Sequence, residues 1–321
     1  MTILFWLYNI QQYVYAIKQE SMIMLLLFML YTISTFPLTS ALLLYAQPFF
    51  LLSSRMIPSG MILLIHSYFY STLHIQRKHA VLYAQVIICA IFLPYALRYH
   101  ALQNAHMPQT LLYNLGPIIT YFMAHFFNIE KITAQRSLAL CLSFIGLLFW
   151  LNTSLTDLVS TPLGLSEYAL ILSIISFSYG WIAMHKLIVY LEYSPTLING
   201  ITMLGGGVLA LAAALTLESN PFITSDLSPF IPLLTLTIVA SNLTAHNIYA
   251  ALLRTYSLTL IQLGYWLVPV MRALTQAIFT QKIPIPISSM PAVFLLVIGF
   301  YFFYREEQTY LNKSAARLTN I

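Results

Sequence analysis

Apolar runs separated by short polar breaks recur along the whole chain. An α-helix needs about 17 to 25 mostly apolar residues to cross the hydrocarbon core of a bilayer. Ten stretches meet that test: 22–45, 48–70, 80–97, 106–128, 136–151, 166–188, 195–217, 229–253, 257–280 and 285–304. The pattern predicts an all-α integral membrane protein of ten transmembrane helices. The polar stretch "NTSLTDLVSTPLG", 152–164, divides these into two sets of five. An odd number per set makes the second set enter from the opposite side. Registering Pro117 on Pro269 also places Tyr113 on Tyr265 and Leu115 on Leu267; separately, Pro48 falls on Pro195 and Gly60 on Gly207. Matches of this kind, with the odd span count, point to an inverted structural repeat, a common construction of secondary transporters. The expected organisation is an interfacial segment 1–21, a first five-helix repeat 22–151, a linker 152–165, a second five-helix repeat 166–304 and a tail 305–321.

Composition agrees with a bilayer setting. Of 321 residues, 60% are hydrophobic and 7% charged, with a mean hydropathy of +0.81. A water-facing surface ordinarily draws on about a quarter of residues being charged. Charge placement then orients the spans, because Lys and Arg favour cytoplasmic loops. With the N-terminus inside, that side collects Lys18, Arg77, Lys78, Lys131, Arg136, Lys186, Arg254, Arg305, Lys313 and Arg317, while the other receives only Arg98 and Lys282. Arg55 and Arg272 are left within the bilayer. The basic balance is therefore topological and gives no reason to expect nucleic-acid binding. Both termini are expected in the cytoplasm of a protein of the cell (inner) membrane. Cys89 and Cys141 fall inside spans and are expected as free thiols. Residues 1–21 carry Trp6, Tyr8, Tyr13 and Tyr15 and read as interfacial, with Met22 and Met24 as alternative starts.

Pro117 sits early in the apolar run "NLGPIITYFMAHFFNIEKI", which ends at Glu130 and Lys131. A proline inside a span leaves a carbonyl unpaired and bends the axis, tolerable where neighbouring helices or a cavity satisfy the freed group. The stretch "PFFLLSSRM", 48–56, with a proline followed seven residues later by Arg55, resembles the EamA family of the drug/metabolite transporter superfamily. So does the segment 95–151, with its proline early in the fourth span, an acid ending that span and Gly146 late in the fifth. The second half departs from that pattern, since Glu130 has Lys282 as its counterpart and the fifth-span glycine shifts to Gly299. The resemblance implies a ten-helix metabolite transporter with a central substrate cavity and no cofactor. It further implies a small polar substrate, such as an amino acid or a nucleotide derivative.

A charge at bilayer depth costs about 2.5 to 3.5 kcal/mol on insertion scales and is a functional candidate by default. Arg272 is placed by helical spacing on one face with Gln262, Tyr265 and Pro269. A guanidinium there suits capture of a carboxylate or phosphate; pairing with helix-end carbonyls or snorkelling is the plainer reading. Arg55 matches the family's arginine and reads as structural, holding helix ends together. The same spacing predicts inward polar faces in four other spans. The fourth carries His106, Thr110, Tyr113, Pro117 and Thr120, next to Asn114. The eighth carries Asn242, His246 and Tyr249, the third Tyr95 and Tyr99, and the first Tyr31 and Thr35. Packing is the plainer role for any single tyrosine. Tyr265 and Trp266 add aromatic faces beside Arg272. An arginine for a carboxylate and rings for an adenine or sulfonium suit S-adenosylmethionine and S-adenosylhomocysteine, a substrate class the resemblance implies.

All nine acids fall in loops, tails or span ends, so proton relay has no evident mid-membrane carboxylate. Exchange or facilitated transport is the more economical mechanism, with proton-coupled export of amino acids or drugs as the alternative. His66, His125, His185 or His246 could supply a titrating group for the latter. No H-E-x-x-H, G-x-S-x-G or phosphate-loop pattern occurs, and the glycine-rich 204–215 lies inside a span, where small residues permit close packing. A non-transporting scaffold or an intramembrane enzyme remains as a rival of another class. The expected partners are a small-molecule substrate and the lipid bilayer, with a homodimer compatible with this composition.

Overall fold

The computed structural model describes residues 21–70, 75–104, 112, 114–151, 164–223, 227–273 and 289–318. These are almost entirely helical. The helices are α1 Ser21–Leu42, α2 Pro48–Tyr70, α3 Arg77–Ala101, α4 Gly116–Phe126 and α5 Ala134–Trp150. There follow α6 Leu165–Tyr190, α7 Pro195–Leu217, α8 Phe230–Leu252, α9 Leu258–Leu263 and α10 Met290–Leu318. Among the described residues six helices are long and apolar enough to cross a membrane: α2, α3, α6, α7, α8 and the stretch Ile23–Leu42 of α1. Extended structure among them is limited to one isolated pair, Ala46 with Phe222, which ties the α1–α2 turn to the segment after α7.

Helix starts follow local chemistry. Pro195 stands in the first turn of α7, where a missing N–H costs nothing. Carboxylates supply acceptors to N–H groups that a helix start leaves unpaired: Glu218 accepts from Phe49 and Phe50 at 2.6 and 2.9 Å. Pro117 likewise lies in the first turn of α4. The bend expected of it inside a span is therefore not needed, because no carbonyl one turn earlier within α4 loses its partner. In α3 the backbone widens into a π-helical turn, Ile87–Phe92. Pro94 has no N–H to return to the preceding turn. Ser176 of α6 donates at 3.0 Å to the carbonyl of Cys89, five residues before the proline, and Ser173 at 2.8 Å to that of Pro94 itself.

The helices fall into two compact units, each drawing on both sides of the 152–165 linker. The first joins 1–113 with 163–255, and the second joins 114–162 with 256–321. In the first unit α2 and α7 pack backbone to backbone. A Cβ placed on Gly60 would stand 2.5 Å from the Leu204 nitrogen, and one on Gly207 would stand 2.9 Å from the Ile57 nitrogen. Each glycine thus meets the residue three positions before the other, as an antiparallel, two-fold contact requires. The same reciprocity occurs in the second unit. There Gly146 of α5 faces Leu296 and Ala292 of α10, and Gly299 of α10 faces Ser143 and Ala139 of α5.

Arg98 was expected in a loop; it lies instead inside helical structure and is 8% exposed. Cys141 is exposed and Cys89 half-buried, both as free thiols. In the second unit Glu130, in the turn between α4 and α5, is 6% exposed and accepts a hydrogen bond from the Thr259 N–H at 3.0 Å. Burial is the largest influence on this carboxyl and lifts it to about 7. Glu307 pushes the same way, while the Thr259 contacts and Arg136 pull it down. Between an unfolded value of 4.5 and 7 the folded chain therefore keeps a proton that the unfolded chain has lost. The stability this group favours is present at acid pH and falls as pH rises through that window. Thermal unfolding in detergent should show the decline, and Glu130→Gln should flatten it while raising the melting temperature at pH 8. A decline of unchanged size in the variant would assign it to other groups.

Candidate functional site

A polar and aromatic cluster fills the interior of the first unit. At its centre Arg55 of α2, fully buried, spreads its guanidinium over three other helices. Its Nε donates to Asn242 Oδ1 at 3.2 Å, one terminal nitrogen to Ser241 Oγ at 2.9 Å, and the other to the Tyr99 hydroxyl and, at 3.5 Å, to Thr39 Oγ1. Asn242 returns the contact through Nδ2 to the Arg55 carbonyl at 3.1 Å and to Ser59 Oγ at 3.0 Å. The planar fork of five N–H donors is what allows one residue to tie α1, α2, α3 and α8 together. This agrees with the structural role expected of Arg55.

Tyr95 connects this cationic end to an aromatic one. Its ring lies 4.5 Å from the Arg98 guanidinium carbon and 5.6 Å from that of Arg55, and Tyr99 lies 5.6 Å from Arg98. These are distances at which a cation is attracted to a ring face. The Tyr95 hydroxyl meets His246 Nε2 at 2.8 Å, while His246 Nδ1 meets the Ser241 carbonyl at 3.1 Å. A carbonyl only accepts, so Nδ1 carries the hydrogen, and in the neutral ring Nε2 then accepts from Tyr95. A π-helical turn, Ile238–Ala245, brings Ser241, Asn242 and His246 to one side of α8. Beyond His246 stand Trp181 and Tyr249, with ring centroids 3.8 Å apart, and Phe28, 5.3 Å from Tyr249. Asn199 of α7 closes the cluster, its Nδ2 donating to the His246 carbonyl at 3.2 Å. Among the described residues the Trp181 indole N–H has no hydrogen-bond acceptor.

Of the residues the sequence singles out, Tyr95, Tyr99, Asn242, His246 and Tyr249 are all buried in this unit, and Tyr31 is half-buried in α1. Asn114, Gln262, Tyr265, Trp266 and Arg272 belong to the second unit. There the Trp266 indole donates to the Asn114 carbonyl at 2.6 Å. Those two positions are 152 residues apart, the separation that registers Pro117 on Pro269. Along the face expected through Gln262, Tyr265, Pro269 and Arg272 exposure rises: Gln262 is buried, Tyr265 and Pro269 are half-buried, and Arg272 is exposed. The backbone tightens to a 3-10 turn over Gly264–Leu267. Each residue there turns the chain by about 120° instead of 100°. Tyr113, His106 and Thr110 lie outside the described residues.

Spacing along single helices missed Thr39, Ser59, Arg98, Trp181, Asn199 and Ser241. Ser241 stands directly beside Asn242, a pair of polar residues within an apolar run. Asn199 is likewise an amide deep in an apolar span. Both are detectable by the cost of burying an amide or hydroxyl without a partner.

Helices of membrane-crossing length surround a buried cationic and aromatic cluster, as in a polytopic membrane protein. Residues 19–152 match the EamA-like transporter family. Over that stretch the chain is similar to membrane transporters. It is 26% identical over 281 residues to an S-adenosylmethionine/S-adenosylhomocysteine transporter of Chlamydia muridarum, covering 85% of this chain and 88% of that protein. A transporter of the same description from Chlamydia trachomatis serovar L2 is also 26% identical, over 85% of this chain and 86% of that protein. A crystal structure 12% identical superposes with a TM-score of 0.70, over 91% of this chain and 99% of that one, a likeness of fold alone.

Proposed function

We propose that this protein exchanges S-adenosylmethionine for S-adenosylhomocysteine across the cell membrane. It would do so by alternating access of two inverted five-helix repeats, with both termini in the cytoplasm. The observation that carries the reading is the continuous cluster from Arg55 and Arg98 through Tyr95 and His246 to Trp181 and Tyr249. One end offers guanidinium groups suited to an α-carboxylate. The other offers ring faces suited to adenine or to a sulfonium cation. The chlamydial relatives support this substrate, and the reciprocal close approaches at Gly60 and Gly207 and at Gly146 and Gly299 support the inverted repeat. Arg272, exposed in the second unit, is the competing assignment for carboxylate contact.

Counterflow in proteoliposomes tests the reading. Vesicles preloaded with unlabelled S-adenosylhomocysteine should take up labelled S-adenosylmethionine at least about tenfold faster than empty ones, because exchange returns the carrier loaded. Uptake driven instead by an imposed pH gradient, with no need of internal substrate, would favour the proton-coupled alternative. Buried Glu130 is the residue that makes that alternative concrete.

A further inference from the structure

Arg55 makes five hydrogen bonds among the described residues, and every acceptor is neutral: Thr39 Oγ1, the Tyr99 hydroxyl, Ser241 Oγ and Asn242 Oδ1, which accepts twice. A guanidinium in a low-dielectric interior is bound about twice as strongly by an ionised acceptor as by a neutral one. Within the first unit the Arg98 guanidinium covers the same Tyr95 ring that faces Arg55, and it also faces Tyr99. Two cationic groups thus converge on one pair of tyrosines. Of the acceptors, Asn242 is locked by its own contacts to the Arg55 carbonyl and Ser59. The Tyr99 hydroxyl carries no second contact to Arg55 and swings away by rotation about χ1, so it is the acceptor we take to yield.

We propose that Arg55 and Arg98 form a carboxylate-binding site whose place is held in this structure by the Tyr99 hydroxyl, and that a substrate carboxylate displaces that hydroxyl from Arg55. The proposal rests on the reading that the cargo is an adenosylated amino acid, and it names the chain's own contact for the amino-acid end. Tyr99 then acts as an internal competitor: its hydroxyl and the carboxylate cannot occupy the same guanidinium donor. Arg98 supplies the second charge, and Tyr95 fixes the position of both guanidinium planes.

The test compares S-adenosylhomocysteine with its decarboxylated analogue in the counterflow assay. Losing a charge-assisted contact costs about ten- to a hundredfold in affinity, so wild-type protein should show a KM lower by that factor for the carboxylated compound. Arg98→Gln should shrink this preference to within about threefold, and Arg98→Lys should restore part of it. Tyr99→Phe, by removing the competitor, should lower KM for the carboxylated compound alone. A merely structural tyrosine would not give that sign. Equal shifts for both compounds in Arg98→Gln and Tyr99→Phe would overturn the proposal, as would a preference abolished by Arg272→Gln and kept in Arg98→Gln. If wild-type protein moves neither compound, the substrate reading has failed. The site is then judged by thermal shift in detergent with acetate, glutamate and inorganic phosphate against chloride at equal ionic strength. Stabilisation by any of these anions that Arg98→Gln removes sustains the anion site, and its absence in wild-type protein overturns it.

Discussion

Replacing Arg55 with methionine is expected to lower the stability of the protein by several kcal/mol and to abolish transport. Methionine removes a charge whose burial costs about 2.5 to 3.5 kcal/mol, which by itself favours the variant. It also deprives Thr39, Tyr99, Ser241 and Asn242 of their shared donor. Each buried acceptor left unsatisfied costs about 1 to 3 kcal/mol. Hydroxyl rotors can find new partners, but Asn242 Oδ1, held by the bonds of its own Nδ2, cannot turn away. The loss at Asn242 and the incomplete re-pairing of three buried hydroxyls together outweigh the one gain. Arg55→Lys should be intermediate, because a compact ammonium cannot reach all four acceptors at once. Melting temperatures in detergent, with a double-mutant cycle between Arg55 and Asn242, measure the effect. A methionine variant that melts with wild type would show that the network contributes nothing to stability.

The second large effect is expected at the crossing of α2 and α7. Gly60→Val would place its Cβ 2.5 Å from the Leu204 amide nitrogen, closer than a Cβ can approach without something shifting. Overpacking a core with flexible neighbours costs about 1 to 3 kcal/mol. Here the neighbour is main chain, which can yield only by separating the two helices, so the cost should reach or pass the upper end of that range. Gly207→Val should behave alike, since its Cβ would meet the Ile57 nitrogen at 2.9 Å. Gly164→Ala is the informative contrast: the nearest atom to its Cβ is an oxygen of the Glu167 side chain, which can move. Size-exclusion profiles of the three variants after extraction give the comparison. Monodisperse Gly60→Val protein with a wild-type melting temperature would contradict the close approach.

Much of the helical framework was legible in the chain because its cause is local. The span 48–70 and the span 195–217 were bounded correctly by the prolines that open them and the polar residues that follow them. The inward face of α8 was visible as Asn242, His246 and Tyr249, since a polar group facing lipid is costly. Pro117 was read correctly as an exception in an apolar run and wrongly as a bend, because whether a proline opens a helix or interrupts one depends on where the preceding residues go. Glu130 was placed at a water interface by its position after an apolar run, yet it is buried against the start of α9. The run of residues around it carries no sign of that partner, 129 positions away.

Hydrophobicity and the hydrogen-bonding demand of the backbone act on neighbours in sequence. The chain alone therefore determined that this is a helical protein with membrane-crossing segments, where several of its helices begin and end, and which side chains are too polar to face lipid. Which of those side chains meet was decided only by the packing of helices distant in sequence. Arg55 finds its acceptors on α1, α3 and α8, and Arg98 becomes an interior residue because α3 continues past it beside α6. A rotation of any one helix by a single residue, about 100°, would leave its apolar pattern unchanged and dissolve the cluster. The tertiary fold alone selects among such rotations, through the glycine contacts that set how closely the helices approach.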